Sequence, residues 1–211
     1  MKKEEQEEEH WWKGPFKYIL MIFLILLIVV WIFAPYIVKV DPEPHYIPTI
    51  NEVVISNLTI ESINHAIDSR QDFLRFINPN DPEIKDVAVR IASMSCNSEK
   101  VCQAKAIYYF VRDNFNYVSD PNLEYVESPK EVLVTGGSDC DGLAVLLATL
   151  ELAIGVDARL VFVPEHVYVE LKLDKGPGKY REWFPVDATC NSCKFGEAPA
   201  TVAEKQYLHL Q

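Results

Sequence analysis

Three residues of this chain are of the types that covalent acyl transfer needs. Cys140 offers a thiol nucleophile, His166 a ring that takes up and returns its proton, and Asp187 a carboxylate that orients the ring. Cys140 lies in "GGSDCDGLAVLLATLELAIG", residues 136–155. Gly136 and Gly137 break the preceding structure, Ser138 and Asp139 are N-capping types, and almost every residue from Leu143 to Ile154 is apolar. The sulfur is therefore expected at the first turn of a buried, rigid helix. There the dipole's positive end is expected to favour thiolate and lower its pKa. Backbone N–H groups of the same turn are expected to face an oxyanion. A cysteine in so apolar a segment is otherwise a small core residue, so its chemistry depends on what converges on it.

Beyond Gly155 the period of the sequence switches to two. "DARLVFVP" (157–164), "HVYVELKL" (166–173) and "YREWFPVD" (180–187) read as strands, with the turn "DKGPGK" (174–179) joining the last two. That turn sets Leu173 opposite Tyr180 and His166 opposite Asp187, with Cβ atoms about 5 Å apart. The pattern supports this pairing: Val167, Val169, Leu171 and Leu173 share a face with Val186, Phe184 and Tyr180, with Glu182 out of place. His166, Tyr168, Glu170 and Lys172 share the other with Asp187, Pro185, Trp183 and Arg181. A slip of one residue would turn the apolar set to water. Pro185 marks an edge or a bulge. Tyr168, Trp183, Tyr117 and Asp141 are the candidate lining of the substrate cleft.

The five cysteines form two close pairs, Cys96 with Cys102 and Cys190 with Cys193, and leave Cys140 over. Local disulfides are the expected pairing outside the cytoplasm. A zinc site built from both pairs is the rival, and thiol titration with and without reductant separates them. The active thiol itself calls for no metal and no cofactor.

Upstream, "YILMIFLILLIVVWIFA", Tyr18–Ala34, carries no charge, and Phe16 and Tyr36–Val38 extend it around Pro35. A bilayer span takes about 20 mostly apolar residues, with aromatic residues at the interfaces. No small-x-small cleavage site follows, and the run is long for a signal-peptide core. It has no polar face, which argues against a buried core helix. A single-pass anchor is expected over 18–38. Lys2, Lys3, Lys13 and Lys17 precede it, whereas Lys39 stands alone until Arg70. The amino end is thus expected in the cytoplasm, with everything after the anchor outside.

The chain has 31 acidic and 20 basic residues, a net charge of −11. That argues against a nucleic-acid surface and against docking on anionic lipid. The run "EEQEEE" is a solvated tail within residues 1–17. "VDPEPHYIPT", with three prolines, reads as part of a stalk over 39–58, and "NLT" makes Asn57 a glycosylation acceptor pattern. Helical periodicity appears near 59–77, 82–94 and 99–115, the last aligning Val101, Ala104, Ile107, Tyr108 and Val111. Residues 59–97 are expected as a helical segment and 98–211 as the domain that holds the chemistry. Helices followed by strands indicate α+β, with the central helix packed on an antiparallel sheet.

Taken together, "SDCDGLAVLLATLELAIGVDARLVFV", "HVYVEL" and "WFPVDAT" resemble the transglutaminase-like superfamily, which shows a cysteine opening a central helix, a G-x-x-A-R strand entry, a histidine in H-A-W-V-E-like context and an aspartate in a W-x-x-x-D-P-T-like strand. "AKAIYYFVRDNFNYV" resembles its upstream helix, and the likeness spans roughly 98–190. The resemblance implies a papain-like α+β core in which Cys140 is nucleophile, His166 general base and acid, and Asp187 the orienting group. Val167-Tyr168 stands where the family has Ala-Trp, and Ala188 where it has proline.

The expected function is a membrane-anchored, extracytoplasmic thiol enzyme. It would act on amide bonds of a peptide or protein through a Cys140 thioester, with water or an amine as acceptor. The alternative is a catalytically inactive ectodomain of the same fold that binds a cell-envelope partner.

Overall fold

The computed structural model describes residues 14–37, 42–54, 58–60, 63, 65–119, 125–174, 181–197 and 204–210. Asn57, the glycosylation candidate, and the turn residues 175–180 lie outside them. The chain divides into two compact units, Met1–Val40 and Asp41–Gln211.

The first unit contains one helix, α1 (Phe16–Ile37), of 22 residues. Its side chains are described as far as Val30, and its apolar residues up to there are exposed. Among the described residues, no helix is long and apolar enough to cross a membrane.

The second unit runs α2 (Ile50–Val53), a 3₁₀ turn (Arg70–Arg75), α3 (Pro82–Ser95), α4 (Lys100–Asn114), β1 (Asn116–Tyr117), α5 (Pro129–Thr135), β2 (Gly137–Ser138), α6 (Cys140–Ala153), β3 (Asp157–Val163), β4 (His166–Asp174), β5 (Arg181–Val186) and β6 (Gln206–His209). The four long strands form an antiparallel sheet in the order β5-β4-β3-β6. This is the α+β arrangement the sequence implies, with α6 at its centre. Leu146, Leu147 and Leu150 of α6 are fully buried, because the sheet covers one side of the helix and α3, α4 and α5 cover others. A helix enclosed on all sides can be apolar on all sides.

Two upstream segments depart from expectation. Among the described residues of 59–77, the only helix is the 3₁₀ turn Arg70–Arg75. Ser69 caps it, its backbone N–H donating to Asp72 Oδ2 at 2.7 Å, so helix begins there and no earlier. Ile63 and Ile67 still pack on the core, but from an irregular strap. The strap is held by His65, whose Nδ1 lies 2.7 Å from the Val126 carbonyl, and by Arg75, which donates to the Ala66 carbonyl at 2.6 Å. The proline-rich stretch expected as a stalk lies against the domain from Glu43 on. Lys105 pairs with Glu43, the His45 N–H donates to the Ser95 carbonyl at 3.1 Å, and Val53 is fully buried.

The β4–β5 register also differs. Val169 pairs with Val186, Leu171 with Phe184 and Asp174 with Arg181, a displacement of two residues from the expected pairing. β4 runs one residue further than expected and β5 starts one later. Since side chains alternate with period two, an even shift leaves every residue on its expected face.

Candidate active site

The helix that carries Cys140 starts where the sequence places its cap. Asp139 Oδ1 accepts from the N–H of Asp141 at 2.9 Å and of Gly142 at 3.4 Å. Gly142 is required there: a Cβ would stand 2.0 Å from Ser138 Oγ and 2.8 Å from Glu127 Oε2, two atoms that are hydrogen-bonded to each other. The parallel pair β1–β2 sets Tyr117 beside Ser138, two residues before the thiol. On the far side, β3 and β4 join through Pro164 and Glu165, with Val163 paired to His166, so the histidine opens β4.

His166 Nε2 and Asp187 Oδ2 are 2.7 Å apart, although the displaced register no longer sets the two residues opposite one another. They lie on the same face, and the reach of the imidazole spans the offset. Asp187 Oδ1 accepts from the Thr189 N–H at 2.9 Å and the Thr189 hydroxyl at 2.6 Å. Both carboxylate oxygens are therefore fixed. The hydrogen bond to Asp187 raises the imidazole pKa against the opposing effect of burial. Burial works to raise the Asp187 carboxyl, but the bonds from His166 and Thr189 outweigh it and hold it below the ordinary range.

The thiol is not the low-pKa group the helix dipole implied. Burial pushes it up to about 12, and the carboxylates of Asp141 and Asp139 add to that, against a lowering hydrogen bond from the Val167 N–H. Cys140 Sγ donates to Asp141 Oδ1 at 3.6 Å. Desolvation and two neighbouring anions outweigh the partial charge of one helix end. The oxyanion expectation narrows in the same way. The Asp141 and Gly142 N–H groups are spent on the Asp139 cap, which leaves the Cys140 N–H, without a partner among the described residues.

Cys140 and His166 line one cleft of about 900 Å³. Tyr117 and Asp141 line it as expected. Tyr168 and Trp183 do not: Tyr168 is 1 % exposed with its ring 6.4 Å from that of His166, and Trp183 packs against Arg159 and His209 on the sheet. The alternation of β4 and β5 places those aromatic residues on the right face but too far along the sheet. Sequence reasoning missed the opposite wall, Ile67–Arg70 and Phe73 from the strap, together with Phe162 and Glu165. The helical periodicity of 59–77 gives no sign that this segment runs as an irregular strap along a cleft.

Cys96–Cys102 and Cys190–Cys193 are disulfides, and Cys140 is the free thiol. The zinc site is thereby ruled out, since both pairs of thiolates it needs are oxidised. Among the described residues, Asp139, Cys140 and Asp141 form a group whose ligand atoms lie within 4.8 Å of one another. One oxygen of that group already caps the helix.

Residues 85–188, about half of the chain, match the family model of the transglutaminase-like superfamily. No curated protein matches the chain. Among solved structures, a candidate cysteine protease from Cytophaga hutchinsonii is 19% identical with a TM-score of 0.42, over 59% of this chain and 45% of that one. This chain thus spans less than half the length of the Cytophaga protein. Legionella pneumophila LapG, in a calcium-bound form, is 20% identical with a TM-score of 0.42, over 65% of this chain and 78% of its own. A candidate protease from Parabacteroides distasonis is 14% identical with a TM-score of 0.40, over 62% of this chain and 30% of its own.

Proposed function

Residues 85–188 belong to the transglutaminase-like superfamily, and from that premise we propose that the protein is a membrane-anchored, extracytoplasmic thiol enzyme acting on amide bonds of peptide or protein substrates. The observation that carries this reading is the 2.7 Å bond between His166 and Asp187 in a chain whose free thiol lines the same cleft as that histidine.

In the neutral ring, Nε2–H donates to Asp187, which leaves the Nδ1 lone pair to accept the Cys140 proton. The sulfur attacks the amide carbonyl, and the developing oxyanion faces the Cys140 N–H. Collapse breaks the C–N bond, the imidazolium returns the proton to the leaving amine, and a thioester on Cys140 remains. Water or a second amine, deprotonated by the same ring, attacks the thioester and releases the thiol. A resting thiol held protonated by burial and Asp141 makes this a proton transfer coupled to attack rather than a standing ion pair.

Anchoring rests on the sequence: the uncharged, apolar run Tyr18–Ala34, extended by Phe16 and Tyr36–Val38, supports a single-pass anchor over 18–38. The lysines precede it, and two disulfides follow it, which supports a domain outside the cytoplasm.

The test is capture of the acyl adduct. Incubating the full chain with an activity-based amide mimic and analysing it by mass spectrometry yields a modification on Cys140 that disappears in Cys140→Ala and His166→Ala. Equal modification of these variants overturns the reading. A specific observation favours a second reading, a non-catalytic ectodomain that binds an envelope partner: the thiol donates to Asp141 and not to the imidazole. If His166→Ala leaves the alkylation rate of Cys140 unchanged at every pH, that second reading stands.

A further inference from the structure

The strap that forms one wall of the cleft lies upstream of the family segment, and its charges are distributed unevenly. Asp68, Asp139, Asp141 and Glu165 line the cleft as acids, and Arg70 is its one cation among the described residues. Two charged neighbours of Arg70 are engaged. Asp72 Oδ2 takes the Ser69 N–H at 2.7 Å and Arg75 donates to the Ala66 carbonyl at 2.6 Å. Arg70 makes neither an ion pair nor a hydrogen bond among the described residues. Its guanidinium instead lies 5.6 Å from the centre of the Phe162 ring, which meets Phe73 edge-on at 5.1 Å. In a chain with 31 acidic residues, a guanidinium that rests on an aromatic face at the cleft wall and pairs with no carboxylate among the described residues keeps its N–H donors clear of them.

We infer that Arg70 is the cleft's receptor for a carboxylate on the amide substrate, so that the preferred substrate carries an aspartate, a glutamate or a chain terminus on the side of the scissile bond that runs along the strap. The inference rests on the cleft around Cys140 being the reaction site. The planar fork of a guanidinium matches a carboxylate in two parallel hydrogen bonds, and its seat on Phe162 reduces the freedom lost on binding. The acids elsewhere in the lining favour a singly charged group over a phosphate, whose second charge they would repel. Three of the four acids, Asp139, Asp141 and Glu165, adjoin Cys140 and His166 in the chain, which sets the scissile amide at the thiol end and the substrate carboxylate at Arg70.

The test needs no knowledge of the substrate. The full chain in detergent is alkylated with iodoacetate and with iodoacetamide at pH 9 and low salt, and the ratio of the two rate constants at Cys140 is taken. The ratio cancels changes in thiol reactivity and reports only the preference for a carboxylate. We expect Arg70→Gln to lower it at least about threefold, Arg70→Lys to retain most of it, and added salt to shrink the difference between Arg70 and Gln. A ratio unchanged in Arg70→Gln, with both reagents still labelling Cys140, overturns the role of Arg70 and leaves the thiol-enzyme reading intact. If neither reagent reaches the sulfur of the wild-type chain, both fall.

Discussion

Asp187 holds His166 with one carboxylate oxygen, Oδ2 at 2.7 Å, and is itself held by Thr189 through the other. The carboxylate that holds the imidazole is thus itself held. Because Asp187 is 1 % exposed, its charge is compensated by these bonds and not by water.

Replacing Asp187 with asparagine keeps the shape but removes the charge that raises the imidazole pKa, and it allows the amide to donate to Nε2 and impose the wrong tautomer. Turnover of an amide substrate by Asp187→Asn is expected to fall by roughly 10²- to 10⁴-fold at neutral pH. Thr189→Ala, which removes one of two bonds to Oδ1, is expected to cost roughly tenfold. A comparison of kcat/KM for the two variants against wild type checks the order.

The raised imidazole pKa fixes the direction of the pH dependence. As the proposed base, His166 acts only when neutral, so turnover is expected to rise with pH through a midpoint above 6.5, the ordinary histidine value. For stability the sign is opposite. The His166–Asp187 pair contributes fully below the unfolded histidine pKa and loses the histidine's share as pH rises through the raised folded value. At the acid end, the contribution of Asp187 is present above the unfolded carboxyl pKa of 3.8 and is lost as pH falls through its lowered folded value. A pH–rate profile and thermal melts across the same range check both signs.

Asp141 is expected to restrain the thiol. Its carboxylate accepts the Cys140 S–H and repels a thiolate. Asp141→Asn is expected to move the alkylation midpoint to lower pH and to raise the iodoacetamide rate at pH 8 by roughly tenfold, the gain in thiolate for one pKa unit. An unchanged midpoint would show that burial alone sets the reactivity of the sulfur.

A second carboxyl group is buried to no evident catalytic end. Glu151 on α6 is fully buried, and neither carboxyl oxygen has a hydrogen-bond partner among the described residues. Burial raises its pKa well above the ordinary value, with Lys100 only partly opposing. The folded state therefore keeps a proton that the unfolded state releases, and stability declines as pH rises above the unfolded value near 4.5. Glu151→Gln removes the titrating group, so its melting temperature at pH 8 is expected to exceed that of wild type by about 2 °C or more, with no gain at pH 4.

What the sequence discloses about this site divides along physical lines. The thiol's helix was legible because its cap and apolar run are local, and the face shared by His166 and Asp187 was legible because burial enforces alternation. The register was not: it depends on where the turn between β4 and β5 closes, and moving that closure by one residue shifts pairing by two while preserving the faces. The reactivity of Cys140 was misread for a related reason. The dipole of α6 is visible in the sequence, but the burial that opposes it comes from packing against β4 around Val167. Residues 59–77 have helical periodicity, and Ile63 and Ile67 do pack on the core, but the path of the strap is set by single contacts of His65 and Arg75 with distant or local carbonyls.

The sheet face around Trp183, expected in the cleft, has a structural role that can be tested. Arg159 on β3 lies between the rings of Trp183 on β5 and Tyr207 on β6, at 4.1 and 4.0 Å from their centres, and pairs with Glu170 on β4. One side chain thus links all four strands. Glu170 is 5 % exposed, with Lys205 at 3.6 Å as its other cation. Removing Arg159 leaves a buried carboxylate poorly compensated, and Arg159→Ala is expected to cost about 3 kcal/mol, a loss of roughly 6–12 °C in Tm for a domain of this size. Lysine cannot stack between two rings and reach Glu170 with a planar fork, so Arg159→Lys is expected to recover less than half of that loss. Replacing both partners, Arg159→Leu with Glu170→Leu, removes the uncompensated charge and is expected to destabilise less than Arg159→Ala alone. A double variant that melts below Arg159→Ala would show that the clamp acts through its ring contacts and not through the ion pair.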